Sequence, residues 1–262
     1  MVVVNRTAVI AGLVGAAACA APAVSSAQPS FPEAAVYSVL HPGATPAGVN
    51  NFACEPSDAH PEPVVLVHGF LENAYDNWAS LGPQLVSEGY CVFALDYGAP
   101  AGLPVGGLGS ISDSAAELST FVDDVLGATG ASKVAIVGHS KGGVVPRYYV
   151  RFLGGVERVS KIVALSPPNY PVPGPPADDS LAQLNSPTDT VPGVEYTVIV
   201  TRYDQVVPWE ASLLRGEGAR NVVLQDLCPA DVVEHTGISY DPVAQQVVRN
   251  ALAGVDTPAV TC

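Results

Sequence analysis

Positive charge is scarce in this chain: 11 of its 262 residues are Lys or Arg, against 25 Asp or Glu, for a net charge of −14 at pH 7. Phosphate binding needs clusters of Lys and Arg, and the sequence holds none, so nucleic acid is a poor partner. The acidity reads instead as a soluble protein kept dispersed by self-repulsion. Cysteine is also sparse, and its spacing includes no C-x-x-C and no paired Cys/His cluster. A zinc site is therefore not expected, and no other metal is implied. Past the first residues, no apolar run reaches the length of a membrane span. Internal repeats and interdomain linkers are absent too, which argues for one domain.

What is present begins with MVVVNRTAVIAGLVGAAACAAPAVSSAQP. Arg6 supplies a positive n-region, Thr7 to Ala21 the apolar run, and Ser25-Ser26-Ala27 a small-residue cleavage site, so residues 1–27 are expected to be a secretory signal. A lipid anchor on Cys19 is disfavoured, because the residue three before it is Ala16 rather than a large aliphatic. Cleavage after Ala27 removes one Arg and no acid, leaving ten basic and 25 acidic residues in a mature domain of residues 28–262. The expected location is extracellular. Four of the five cysteines remain, and an even number in an exported chain suggests two disulfides with three possible pairings. Cys54 and Cys91 each flank an early strand, while Cys228 and Cys262 share the last part of the chain. The expected pairs are Cys54–Cys91 and Cys228–Cys262.

From about Pro63 onward, short β-branched runs alternate with longer helical patterns. Strands are expected at Val64–His68, Cys91–Leu95, Lys133–Val137, Lys161–Leu165, Tyr196–Thr201 and Asn221–Leu224. These runs are continuously apolar, the pattern of strands covered on both faces in a parallel sheet. Helices are expected at Tyr75–Ser87, Ser112–Leu126, Val144–Phe152 and Val243–Leu252. The predicted fold class is α/β, a mostly parallel, doubly wound sheet of about six strands with helices on both faces. Gly98–Gly109 and the proline-rich Ser166–Pro192 break the alternation, and each follows a strand. Both belong at the carboxyl edge of the sheet, either as surface loops or as walls or lids of a substrate pocket.

The pattern Gly138-His139-Ser140-Lys141-Gly142 lies between a buried strand and a helical pattern that continues through Val144, Val145, Tyr148 and Phe152. A sharp strand-to-helix turn there would thrust Ser140 out as a nucleophile. Pro146 either kinks the following helix or sits within its first turns. A serine hydroxyl needs a base, itself held by a carboxylate. Of the five histidines, His41 and His60 lie in a Pro-rich segment before the first strand and read as loop residues. His68 and His139 read as scaffold. His235, past the last strand and before the last helix, is the expected base. The acid should lie between serine and histidine in the chain. Candidates are Asp178, Asp179, Asp189, Glu195, Asp204, Glu210, Asp226, Asp231 and Glu234, and Asp204 is favoured because it directly follows the strand in "YTVIVTRYDQVVP". The expected oxyanion-hole donors are the backbone N–H groups of Phe70 and Lys141. The Lys141 side chain is expected to be solvated or ion-paired.

Four ordered blocks, "VVLVHGF…DNWASLGPQL…GYCVFALDYG", "VGHSKGGVVPRYYVRFLGG", "TRYDQVVPW" and "EHTGISYDPVA", resemble the secreted actinobacterial lipases of the α/β-hydrolase superfamily, small lipases related to the Bacillus minimal lipases. The resemblance spans Pro32 to Cys262. It implies the α/β-hydrolase fold and a triacylglycerol-lipase or carboxylesterase activity without cofactor. It also implies a triad of Ser140, Asp204 and His235 with Phe70 and Lys141 as oxyanion donors. The implied partner is a lipid or ester substrate at a lipid–water interface, met by a monomer. One departure stands out: that family usually carries Gln or Met after the nucleophile, where this chain has Lys141. Two other readings share the sequence, a secreted acyltransferase using the same triad and a non-catalytic protein of hydrolase fold that binds an apolar ligand.

Overall fold

The computed structural model describes residues 1, 28–172, 180–255 and 260–262. The expected signal segment with Cys19 (Met1 apart), the acids Asp178 and Asp179, and part of the Ser166–Pro192 stretch lie outside the described residues. Six strands form one sheet: β1 (Val64–Val67), β2 (Val92–Leu95), β3 (Val134–His139), β4 (Val159–Leu165), β5 (Glu195–Val200) and β6 (Ala219–Val223). Their order is β2-β1-β3-β4-β5-β6, and every neighbouring pair is parallel. The chain leaves β1 on one side for β2 and returns on the other for β3. The carboxyl ends of β1 and β3 therefore flank a topological switch point, where open α/β sheets place their ligands.

The continuous apolar runs have a simple cause: successive side chains of each strand enter two different cores. Leu66 of β1 and Val137 of β3 pack with Trp78, Leu81 and Leu85 and with Val247 of the last helix, Pro242–Leu252. Val65 and Val67 of β1 and Ile136 of β3 pack instead with Leu118 and Val122 of one helix and Val145 and Tyr149 of another. With both faces covered, no polar alternation survives along the strands.

Helix α1 (Phe31–Leu40) occupies a segment expected to be loop, so His41 is the cap of a helix rather than a loop residue. Its start is fixed by a reciprocal cap in which the Ser30 N–H donates to the Glu33 carboxylate. The single helix expected over Tyr75–Ser87 is two, α2 (Ala74–Trp78) and α3 (Leu81–Ser87). Pro83 explains the break: its ring conflicts with the carbonyl four residues back, at Ala79, so it is tolerated only in the first turn of a new helix. Helix α4 (Ile111–Thr129) begins on the Ser110 side chain, which accepts the Asp113 N–H, and ends at Gly130, whose φ is 70°. Helix α5 (Lys141–Phe152) carries Pro146 in its interior, past the first turn.

Disulfides join Cys54 to Cys91 and Cys228 to Cys262, closing separations of 37 and 34 residues. Loop-closure entropy then predicts that opening either one costs about 4 kcal/mol of stability. Urea unfolding of Cys54→Ala/Cys91→Ala beside the wild type checks this, and a midpoint that does not move would contradict it.

Candidate active site

Strand β3 ends at His139 and α5 begins at Lys141, so Ser140 alone makes the turn. Its φ of 50° and ψ of −124° form a conformation that side-chain-bearing residues rarely hold. The turn closes only because two neighbours lack side chains. A Cβ on Gly138 would collide with the Gly142 carbonyl, and one on Gly142 with the Val67 carbonyl at the end of β1. The Ser140 N–H donates to the Leu165 carbonyl at 2.8 Å, fastening the turn to the end of β4.

Two further loops at the same edge complete the cluster. After β5, Asp204 turns one carboxylate oxygen onto the N–H groups of Val206 (2.9 Å) and Val207 (2.7 Å). The other oxygen lies 2.7 Å from Nδ1 of His235, whose Nε2 lies 3.0 Å from Oγ of Ser140. The loop that carries His235 is shaped by Glu234, which accepts the N–H groups of Thr236 and Gly237. Thr201 bonds the Val233 carbonyl and so ties the two loops together. Burial alone would push the Asp204 carboxyl up. The hydrogen bond from His235, the Val207 N–H and the attraction of His235 outweigh it and hold the group below the usual Asp range.

The turn after β1 lies beside Ser140. Its Gly69 N–H donates to Glu72 at 2.8 Å and its Leu71 N–H to the Gly106 carbonyl at 3.0 Å. Between them, the Phe70 N–H has no acceptor among the described residues. Lys141 opens α5, where first-turn N–H groups point out along the helix axis. Gly107 presses on the Phe70 backbone so closely that a Cβ there would meet the Gly69 carbonyl at 2.6 Å. The Lys141 ammonium is not out in solvent: it is half-buried and donates to the carbonyls of Gly107 (2.7 Å) and Gly109. The glycine-rich stretch 98–109 is thus fastened against the turn after β1.

The remaining candidates lie elsewhere. Asp189 accepts the Tyr170 hydroxyl and the N–H groups of Arg215 and Gly216. Asp226 pairs with Arg202, and Asp231 accepts the Val233 N–H. His60 packs against the Tyr90 ring at a tilt of 33°. His68 is fully buried, and that burial keeps its pKa low; its Nδ1 lies 2.8 Å from the Gly69 carbonyl. Sequence reasoning passed over Glu72, a buried acid in "HGFLEN". Its signal was the three-residue spacing from Gly69, which lets a carboxylate fold back onto a backbone N–H.

Residues 61–167 match the family model "Lipase (class 2)". The chain is 35% identical over 111 residues to a triacylglycerol lipase of Burkholderia plantarii, covering 40% of this chain and 28% of that one. It is 36% identical over 92 residues to a triacylglycerol lipase of Pseudarthrobacter phenanthrenivorans, covering 33% of this chain and 27% of that one. The chain therefore spans under a third of the length of these curated relatives. Aspergillus fumigatus lipase B superposes with a TM-score of 0.65 at 18% identity, over 82% of this chain and 56% of the other. The chain has the α/β-hydrolase fold, and in sequence it resembles bacterial lipases of that superfamily.

Proposed function

We propose that this protein, an α/β-hydrolase-fold chain whose residues 61–167 match class 2 lipases, is a secreted serine ester hydrolase that cleaves acylglycerols. The observation that carries the reading is the relay of 3.0 Å from Ser140 Oγ to His235 Nε2 and 2.7 Å from His235 Nδ1 to Asp204. His235 takes the Ser140 proton as Oγ attacks the ester carbonyl. The backbone N–H groups of Phe70 and Lys141 receive the oxyanion. His235 then protonates the departing alcohol, leaving an acyl-serine, and water repeats the sequence to release the acid. Asp204 keeps the imidazole in the tautomer that presents a bare Nε2 to the hydroxyl. No cofactor takes part in these steps.

The apolar substrate is suggested by the loops that follow the strands at this edge of the sheet. Phe70 and Leu71 after β1, Leu103 on the glycine-rich stretch, Val206 beside Asp204 and Val232 before His235 are all exposed. Large exposed apolar side chains on loops that also carry the relay residues or adjoin them in sequence suit an acyl chain or a lipid surface. Secretion as a monomeric domain of residues 28–262, freed from residues 1–27, accords with two disulfides and with described helices too short or too polar to cross a membrane.

Hydrolysis of p-nitrophenyl esters from acetyl to palmitoyl tests the reading. Release that rises with chain length supports a lipase. A short-chain optimum keeps the relay but makes the protein a carboxylesterase, and no release from any ester would sink the hydrolase reading.

A further inference from the structure

Beneath the relay lies a second histidine–carboxylate pair that the proposed reaction does not use. His139 and Glu72 are buried, and their side chains meet at 2.9 Å, His139 Nδ1 to Glu72 Oε2. The same Oε2 accepts the N–H of Gly69, the residue before Phe70, at 2.8 Å. The other ring nitrogen of His139, Nε2, lies 2.9 Å from the backbone carbonyl of His235. A carbonyl only accepts, so Nε2 carries a hydrogen. One more proton lies between Nδ1 and Oε2.

The geometry points to Glu72 and His139 as positioning residues: a carboxylate–imidazolium pair that holds the oxyanion turn, the nucleophile strand and the base loop in register through that one proton. The inference rests on the hydrolase reading of Ser140, His235 and Asp204. This charge state satisfies three hydrogen bonds at once. The carboxylate oxygen accepts from both Gly69 and Nδ1, while Nε2–H holds His235 in place.

A glutamine at position 72 cannot reproduce the set. If its oxygen faces Gly69 and Nδ1, a neutral His139 must keep its hydrogen on Nδ1, and the His235 carbonyl loses its donor. If its NH2 faces them, it opposes the Gly69 N–H. If His139 stays charged, it is a buried cation without a counterion. Each arrangement releases either the Phe70 turn or the His235 loop.

The pair also has a pH signature. Burial alone would push Glu72 up and His139 down, but their mutual attraction and hydrogen bond reverse both, so Glu72 lies low and His139 high. A raised imidazole pKa means the contribution is complete below the ordinary His value and is lost as pH rises through the raised one. Other ionisable groups face His139. They are Asp76 on α2, pushed by burial up to about 7, Asp204 and His235 from the two relay loops, and His68 after β1. The Asn77 amide is 3.1 Å from Nδ1.

Glu72→Gln in the full-length chain tests the assignment. On p-nitrophenyl acetate, whose acyl group is too short to draw on the exposed Phe70 and Leu71 side chains, kcat should fall on the order of tenfold to a hundredfold with KM nearly unchanged, since the reacting groups move relative to one another. The fall of kcat at alkaline pH that tracks His139 in the wild type should be absent in the variant. Nitrogen NMR of the histidine rings, with His139→Gln assigning the signal, should show both His139 nitrogens protonated at pH 7 in the wild type and only one in Glu72→Gln. A neutral His139 in the wild type, or a Glu72→Gln kcat within about twofold of it, would overturn the proposal. The ring signal needs no turnover, so a chain that hydrolyses no ester but keeps its imidazolium marks failure of the hydrolase reading instead.

Discussion

Ser140→Ala should lower kcat for ester hydrolysis on the order of a million-fold, to whatever rate the oxyanion donors and substrate binding sustain without a nucleophile. The proposed reaction has no second nucleophile to take over. His235 could act as a base on water, but water is not held at the serine position in the line of attack. The fold should not suffer. Ala keeps the Cβ, so the strained φ of 50° is unchanged, and the N–H bond to the Leu165 carbonyl belongs to the backbone. A thermal midpoint close to the wild type would therefore accompany the loss of activity and separate it from misfolding. Ser140→Gly makes a useful companion, because it removes the hydroxyl and also relieves strain of about 1–3 kcal/mol. Both variants should fail to react with a phosphonate ester that labels the wild-type serine at one equivalent. Retained turnover in Ser140→Ala would show that the relay is not the site of chemistry.

The sequence carried most of the sheet because buried parallel strands have a strong local signature. All six expected strands overlap observed ones, from Val64 to Val223, with ends shifted by a residue or more. Strand and helix meeting at a glycine-flanked serine was equally legible, since Gly138 is required by a contact with Gly142 within the turn itself, whereas the contact that requires Gly142, with Val67 of β1, is a distant one. Two kinds of feature were harder to read. Helix α1 lies among prolines and buries only Ala34 and Ser38, so its apolar residues do not mark one buried face, although Ser30 and Glu33 already had the spacing of a helix-starting box. The roles of Glu72, His139 and the Lys141 side chain depend on which loops come together. Glu72 and His139 are 67 residues apart, and Lys141 is 34 from Gly107. No local pattern encodes such meetings; they follow from the strand order β2-β1-β3, which brings the ends of β1 and β3 side by side.

Asp204→Asn should cost on the order of ten-thousandfold in kcat while leaving the cluster assembled. One oxygen of Asp204 accepts the N–H groups of Val206 and Val207, and an asparagine would keep its own oxygen there because two donors face it. Its NH2 must then face Nδ1 of His235. That forces the imidazole hydrogen onto Nε2, the nitrogen 3.0 Å from Ser140 Oγ, and a protonated nitrogen cannot accept the serine proton. The Ser140–His235 contact survives with its direction reversed, so the loss falls on kcat rather than on folding. Acid stability supplies an independent readout. The wild-type Asp204 carboxyl is held low, so its contribution is present above the ordinary Asp range and is lost as pH falls through the depressed value. Asparagine does not titrate, and the variant should lose less stability on acidification than the wild type, measured by urea unfolding at neutral pH and near pH 3. Equal acid sensitivity in the two proteins, with kcat preserved, would remove Asp204 from the relay and return the role to another carboxylate.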